Sequence, residues 1–205
     1  MKELNYILIL LLISCGELVG PGSHGDSVGD GDSHPEPIGN NEIINATSYS
    51  QWQYYKITED SLRHITTVFG EFENSLAWDI AFQRYHIRTN SATSGPGNIG
   101  VHIDSIETWN GTVFNNLNDI ETDFNYLPDT TLNTFYNITT HEFIEDSSNP
   151  SFETWAQIDT TNNYSMIISN NKFILRTTNE NNFYKFWIRD YYNENGESGY
   201  ISLVY

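Results

Sequence analysis

The segment from Trp78 to Gly100 reads Trp-Asp-Ile-Ala-Phe-Gln-Arg-Tyr-His-Ile-Arg-Thr-Asn-Ser-Ala-Thr-Ser-Gly-Pro-Gly-Asn-Ile-Gly, and it constrains the fold more than any other part of the chain. Its first half alternates as a strand does, with Trp78, Ile80 and Phe82 on one face and Asp79, Ala81 and Gln83 on the other. The faces then exchange polarity: Arg84 and His86 continue the Trp78 face, and Tyr85 and Ile87 lie opposite. Read as one strand, this pattern passes from a core into a rim or a second sheet. The second half, Asn90 to Gly100, is a loop of small and turn-forming residues. Such a loop tolerates unusual backbone angles and brings the main chain close to a ligand or a neighbouring strand.

Composition bounds the rest. A net charge of -18, from 27 acidic and 9 basic side chains, argues against nucleic acid, whose phosphates need clustered Lys and Arg. It also argues against a polybasic membrane patch. Aromatic residues make up 14% of a polar chain, which favours half-buried pleated surfaces and hence an all-β domain.

The single cysteine excludes an intramolecular disulfide. Lys2, the apolar run Tyr6 to Ile13 and then Ser14-Cys15-Gly16 form a secretory signal, too short in its apolar part to span a bilayer. Leu12-Ile13-Ser14-Cys15 resembles a bacterial lipobox. Residues 1–14 are therefore expected to be a lipoprotein signal peptide, with Cys15 as the lipidated residue. Residues 15–42 are expected to form a disordered acidic Gly/Ser/Pro tether, because they carry almost no large apolar side chains to bury. The Asp-rich run Asp26 to His34 lacks the spacing of a calcium loop.

Residues 43–205 are expected to be a single β domain. Gln51 to Ile57 is a strand with aromatics on both faces, and Glu59 to Phe69 is a connection or further strand. Gly100 to Trp109 alternates again, and Asn110-Gly111 is a strong hairpin signal. Thr134 to Phe143 reads as a strand, Glu145 to Pro150 as a turn, and Ser151 to Asp159 as a short helix or strand. Lys172 to Thr177 and Phe183 to Tyr191 make a hairpin of two long strands, followed by a last strand from Tyr200 to Tyr205.

Chemistry-bearing patterns are few. His64, His86, His102 and His141 show no zinc-pair spacing, and no nucleophile elbow, phosphate loop or dinucleotide fingerprint is present. A hydrolase using spaced carboxylates has no motif to support it. Two side chains stand out because haem iron takes His or Met axially. His141 ends a strand before a loop, and Met166 is the sole methionine beyond the first residue. Their plainer readings are an exposed loop histidine and a core filler.

Several blocks, taken together and in order, resemble the HmuY family of haem-binding lipoproteins. They are the lipobox, the tether, Tyr49-Ser-Gln-Trp52-Gln-Tyr54, Trp78 to Tyr85 with its Gly-rich sequel, and Phe173-Ile-Leu-Arg176-Thr177 followed by Tyr184-Lys185-Phe186. The closing Asp190-Tyr191-Tyr192 and Gly199-Tyr-Ile-Ser are similar too. The resemblance implies a mostly antiparallel all-β fold with haem held between projecting hairpins. It also implies an outer-membrane or cell-surface lipoprotein that collects haem for iron acquisition, without catalysis, and passes it to an outer-membrane haem receptor. Aligning on Trp155 puts one family ligand position near Thr160, so His141 and Met166 are the candidate axial ligands by chemistry and not by motif. The competing expectation is a surface lipoprotein of this fold that binds another ligand, such as a glycan stacked on exposed Tyr and Trp.

Overall fold

The computed structural model describes residues 39–58, 60–104, 124–178 and 182–205. Among them thirteen strands form two sheets and two separate hairpins. The strands are β1 (Asn41–Asn45), β2 (Gln53–Ile57), β3 (Leu62–Ile65), β4 (Ile80–Gln83), β5 (His86–Thr89), β6 (Gly100–Asp104) and β7 (Thr130–Asn137). They continue as β8 (Glu142–Ser148), β9 (Ala156–Asp159), β10 (Ser165–Ile168), β11 (Lys172–Arg176), β12 (Phe183–Tyr192) and β13 (Ser198–Val204). Single 3₁₀ turns occupy Phe72–Asn74 and Phe152–Thr154. The fold is all-β, as composition and alternation led us to expect.

One sheet has the order β1-β13-β12-β11-β6 and the other β3-β2-β4-β5, with every pairing antiparallel. Alternate residues of both sheets meet in one core. Ile44, Val101, Phe173, Leu175, Phe186, Ile188, Ile201 and Leu203 come from the first sheet, and Ile57, Leu62, Ile80, Phe82 and Ile87 from the second. Phe152 closes the core, its ring centroid 4.9 Å from Phe173 and 6.1 Å from Phe186. Each such fully buried side chain contributes on the order of 1.5–3 kcal/mol.

The Trp78 segment is not one strand. β4 and β5 fold back on each other, with Gln83 opposite His86 and Ile80 opposite Thr89, so only Arg84 and Tyr85 lie in the turn. The change of polarity after Gln83 marks this reversal and not a passage into a second sheet. Arg84 takes φ +53°, a conformation that glycine or asparagine usually supplies. Its guanidinium holds the turn instead, donating to the carbonyl oxygens of Thr47 (3.2 Å) and Ser198 (3.3 Å) and to Ser198 Oγ (2.9 Å). Trp78 also differs from expectation, since it does not share a face with Ile80 and Phe82. It precedes the strand and joins Tyr54 and Ala81 in a second buried cluster on the opposite side of the sheet.

That second cluster contains a charge. Arg88 lies over Trp52 (4.3 Å), Tyr54 (5.1 Å) and Trp78 (5.8 Å) and donates to Tyr54 Oη and Glu73. Burial pulls its guanidinium down to about 10, against the pull of Asp146 and Asp129 in the other direction. A charge so enclosed is held by aromatic faces and by Glu73, itself half in solvent.

The loop after β5 is drawn in tightly, as its small residues predicted. Asn90 Nδ2 donates to the carbonyls of Ser75 (2.7 Å) and Trp78 (2.9 Å), while its Oδ1 accepts from Gly97 N (3.0 Å). A Cβ at Gly97 would lie 2.2 Å from Asn90 O, so only glycine fits there. Asp129 ties this loop to the rest. It is buried and accepts from Thr89 N (2.8 Å), Thr89 Oγ1 (2.6 Å), Ser94 Oγ (2.6 Å) and Asn149 Nδ2 (3.0 Å). Burial raises its carboxyl pKa, partly offset by those hydrogen bonds.

The β11–β12 hairpin and the last strand fall where alternation placed them. Three other segments differ. Thr134 to Phe143 is not one strand: β7 ends at Asn137 and β8 begins at Glu142, with His141 in the turn between them. Glu145 to Ser148 belongs to β8 and is not a turn: Asp146, Ser147 and the buried Ser148 pair with Leu132, Thr131 and Thr130 of β7. Ser151 to Asp159 is both a 3₁₀ turn and a strand. The Asn110-Gly111 hairpin signal lies outside the described residues, as do Cys15 and most of the tether.

Candidate functional site

The hairpins β7–β8 and β9–β10 stand outside both sheets. In β7–β8, Phe135 faces Ile144 and Tyr136 faces Phe143, so the two pairs occupy opposite faces. Phe135 is buried, whereas Phe143 is 60% exposed and Tyr136, Ile138 and Ile144 are also exposed. The turn is built by Asn137. Its Oδ1 accepts from Thr139 N (2.9 Å) and Thr140 N (3.2 Å), and its carbonyl accepts from His141 N (2.8 Å). His141 thereby takes φ +58°, a region that His enters more readily than most residues. Its ring comes back onto its own hairpin, with Nδ1 2.9 Å from Tyr136 Oη. The Tyr136 and Phe143 rings pack edge to face at 5.7 Å, completing an exposed aromatic patch that carries one imidazole.

In β9–β10, Asp159 nucleates the turn, its Oδ1 accepting from Thr161 N (2.9 Å), Thr161 Oγ1 (2.6 Å) and Asn162 N (3.2 Å). These bonds hold its carboxyl below the usual carboxylate range. Asn163 and Tyr164 follow with positive φ, and Tyr164 is 73% exposed. Thr160, the position reached by aligning on Trp155, is an exposed residue of this turn. Met166 faces Ile158 across the hairpin. Its side chain is half-buried against the core, and its amide donates to Tyr192 Oη at 3.2 Å. Ile167 points the other way and lines a groove of about 310 Å³ with Glu153, Thr154, Ala156, Gln157 and Ser169.

The first hairpin and the 3₁₀ turn that leads into the second meet at His86. Phe135 of β7 stacks on the His86 ring at 3.8 Å, and His86 Nδ1 lies 3.0 and 3.1 Å from the two carboxylate oxygens of Glu153. Glu153 sits in the 3₁₀ turn that leads into β9. Tyr85 packs beside His86 at 4.0 Å and donates to the Thr134 carbonyl at 3.2 Å. Burial, helped by the charge of Glu153, pushes the Tyr85 phenol up to about 12. Trp155 Nε1 donates to Tyr85 O at 2.7 Å and completes the joint. None of these residues stood out in the sequence as part of a site; the alternation of Tyr85 and His86 was the only signal.

The structure thus places His141 on an exposed aromatic patch and Met166 against the core of a different hairpin. The patch suits a flat apolar ligand with a metal at its centre: ring faces for its surface, and a His nitrogen for the metal. Nδ1 is the His141 nitrogen in contact with Tyr136. The Met166 side chain packs against the core. Among the described residues, no three His, Cys, Asp or Glu side chains converge to hold a bare metal ion.

The profile of the HmuY protein family matches residues 48–205. Among solved structures, the chain is similar to an apo HmuY analogue from Tannerella forsythia, at 18% identity and TM-score 0.56, over 84% of this chain and 96% of that one. It is equally similar to a candidate HmuY-like haem-binding protein from Bacteroides vulgatus, at 17% identity and TM-score 0.56, over 82% and 90%. A candidate lipoprotein from Bacteroides fragilis follows, at 18% identity and TM-score 0.55, over 83% and 90%. No curated protein matches the chain. At these identities the structures speak for the fold, and the family profile covers most of the chain in its own right. The chain belongs to the HmuY family.

Proposed function

We propose that this chain is a membrane-anchored haem-binding lipoprotein, a non-catalytic haem carrier that takes haem at its two free hairpins. The observation that carries the reading is where the exposed apolar side chains lie. Of the eleven large hydrophobic side chains exposed among the described residues, seven belong to these hairpins and their turns: Tyr136, Ile138, Phe143, Ile144, Ile158, Tyr164 and Ile167. Apolar surface concentrated on two small elements, in a chain of net charge -18, marks a contact site for an apolar ligand. Family membership and the candidate haem-binding neighbour support haem as that ligand.

In this reading His141 supplies an axial nitrogen, and Met166 is the second candidate ligand. Cys15 carries the lipid that holds the protein to the outer membrane or cell surface, and bound haem is handed to an outer-membrane receptor. The protein's own part is to bind, shield and orient. Titration of the domain with ferric haem gives a sharp Soret band, which shifts or weakens in His141→Asn and, if the thioether also ligates, in Met166→Leu. A haem titration with no spectral change at micromolar concentration overturns the reading. Cys15→Ala releases the protein from membranes; unchanged membrane association refutes the anchor.

A further inference from the structure

We infer that Tyr136 is a positioning residue for His141, holding its ring so that Nε2 is the nitrogen presented to haem iron. This rests on the reading of His141 as an iron ligand. The contact is Tyr136 Oη to His141 Nδ1 at 2.9 Å. Three features of the hairpin make it a built arrangement. The Asn137 side chain closes the turn on the amides of Thr139 and Thr140. The turn sets His141 at φ +58°. Phe143 packs edge to face against the Tyr136 ring at 5.7 Å and fixes where the hydroxyl sits.

The chemistry follows from the two nitrogens of one ring. An exposed histidine rotates about two side-chain bonds and offers either nitrogen to a metal. A partner at Nδ1 removes that choice and lowers the entropy lost on binding. A phenol hydroxyl both donates and accepts. It therefore serves the free ring as a donor to Nδ1 and the ligated ring as an acceptor from Nδ1–H. Accepting that proton makes Nε2 a better electron donor, as outer partners of metal-bound histidines generally do. Tyr136 thus acts on the iron through His141 and without touching it.

The test uses Tyr136→Phe, which keeps the ring packed on Phe143 and removes only the hydroxyl, beside His141→Asn, which keeps a residue tolerant of positive φ. In the ligand-free protein, imidazole ¹⁵N spectra should show the His141 Nδ1 resonance moving in Tyr136→Phe. With ferric haem as the probe, the same variant should keep a histidine-type Soret band but bind about 10–100-fold more weakly. Its bound haem should also have a higher reduction potential, because the ligand donates less. A Tyr136→Phe protein matching the wild type in Nδ1 shift, affinity and potential overturns the inference and leaves His141 as a ligand. A Soret band unchanged in His141→Asn overturns the ligand assignment, and the role of Tyr136 falls with it.

Discussion

Glu153 closes on His86 with both carboxylate oxygens, at 3.0 and 3.1 Å from Nδ1, while Phe135 stacks on the ring at 3.8 Å. One imidazole thereby joins the strand that starts the first free hairpin to the turn that starts the second. Because His86 is buried, removing its partner leaves a polar nitrogen unsatisfied. Glu153→Ala is expected to destabilise the domain by about 1–3 kcal/mol. Amide exchange should quicken first in β7 and β9, and uniform quickening across both sheets would contradict this hinge-like role.

Buried phenols make the domain sensitive to alkali. Burial raises Tyr191, Tyr55 and Tyr205 above the ordinary tyrosine range and takes Tyr85 to about 12. The folded state therefore binds more protons than the unfolded chain above pH ~10. This contribution is fully present below pH ~10 and is lost as pH rises through the folded values. Arg88, pulled down to about 10, works in the opposite sense, but it is one group against four. Urea midpoints should fall between pH ~10 and ~12, with a shallower fall in Tyr85→Phe.

Asp129 gives a trend of the same sign on the acid side. Its carboxyl is raised by burial, so its contribution is present below the unfolded value of ~3.9 and lost as pH climbs through the folded one. Lowering pH from about 7 toward 4 should therefore stabilise the wild type relative to Asp129→Asn. Asp129→Ala strips partners from Thr89, Ser94 and Asn149 together and should cost about 3 kcal/mol or more. A constant gap between wild type and Asp129→Asn across this range would show that the carboxyl does not titrate on folding.

Gly97 and Gly70 separate close approach from backbone freedom. A Cβ at Gly97 meets Asn90 O at 2.2 Å and Thr178 Oγ1 at 2.9 Å, whereas one at Gly70 meets nothing within 4 Å, although φ is +85°. Gly97→Ala should cost about 2–4 kcal/mol, and Gly70→Ala about 1 kcal/mol from strain alone. Equal thermal shifts in the two variants would count against the packing argument.

Most of the sheet architecture can be read in the sequence wherever a strand has one face on the core. β11 and β12 are long, alternate cleanly and are separated by an asparagine cluster, so their pairing is legible. The β4–β5 reversal is not, because Arg84 holds a positive φ through bonds to Thr47 and Ser198, far away along the chain. β8 reads as a turn because Glu145 to Ser148 are all polar and carry no hydrophobic period, although the last of them is buried. The candidate site is legible only in its chemistry. His141 and Met166 can be chosen as side chains that bind iron, but nothing local reveals that one sits on an exposed aromatic patch and the other against the core. The His86 joint depends on residues 67 positions apart and needs the folded chain.

The five-stranded sheet pairs β1 with β13, and Asn40 and Tyr205 exchange backbone hydrogen bonds beyond the paired strands at 2.9 and 3.1 Å. Such a ladder cannot close on a nascent chain that lacks β13. Local hairpins such as β11–β12 are free to form early, but the edge strand stays without its neighbour until synthesis has passed residue 204. Loop closure over so long a separation is also slow. The five-stranded sheet therefore stays open along its β1 side until the last strand is made, whereas the β3-β2-β4-β5 sheet uses only residues 53–89 and can close earlier. The protein's folding rate should respond far more to changes at the β1–β13 seam than to changes in either free hairpin.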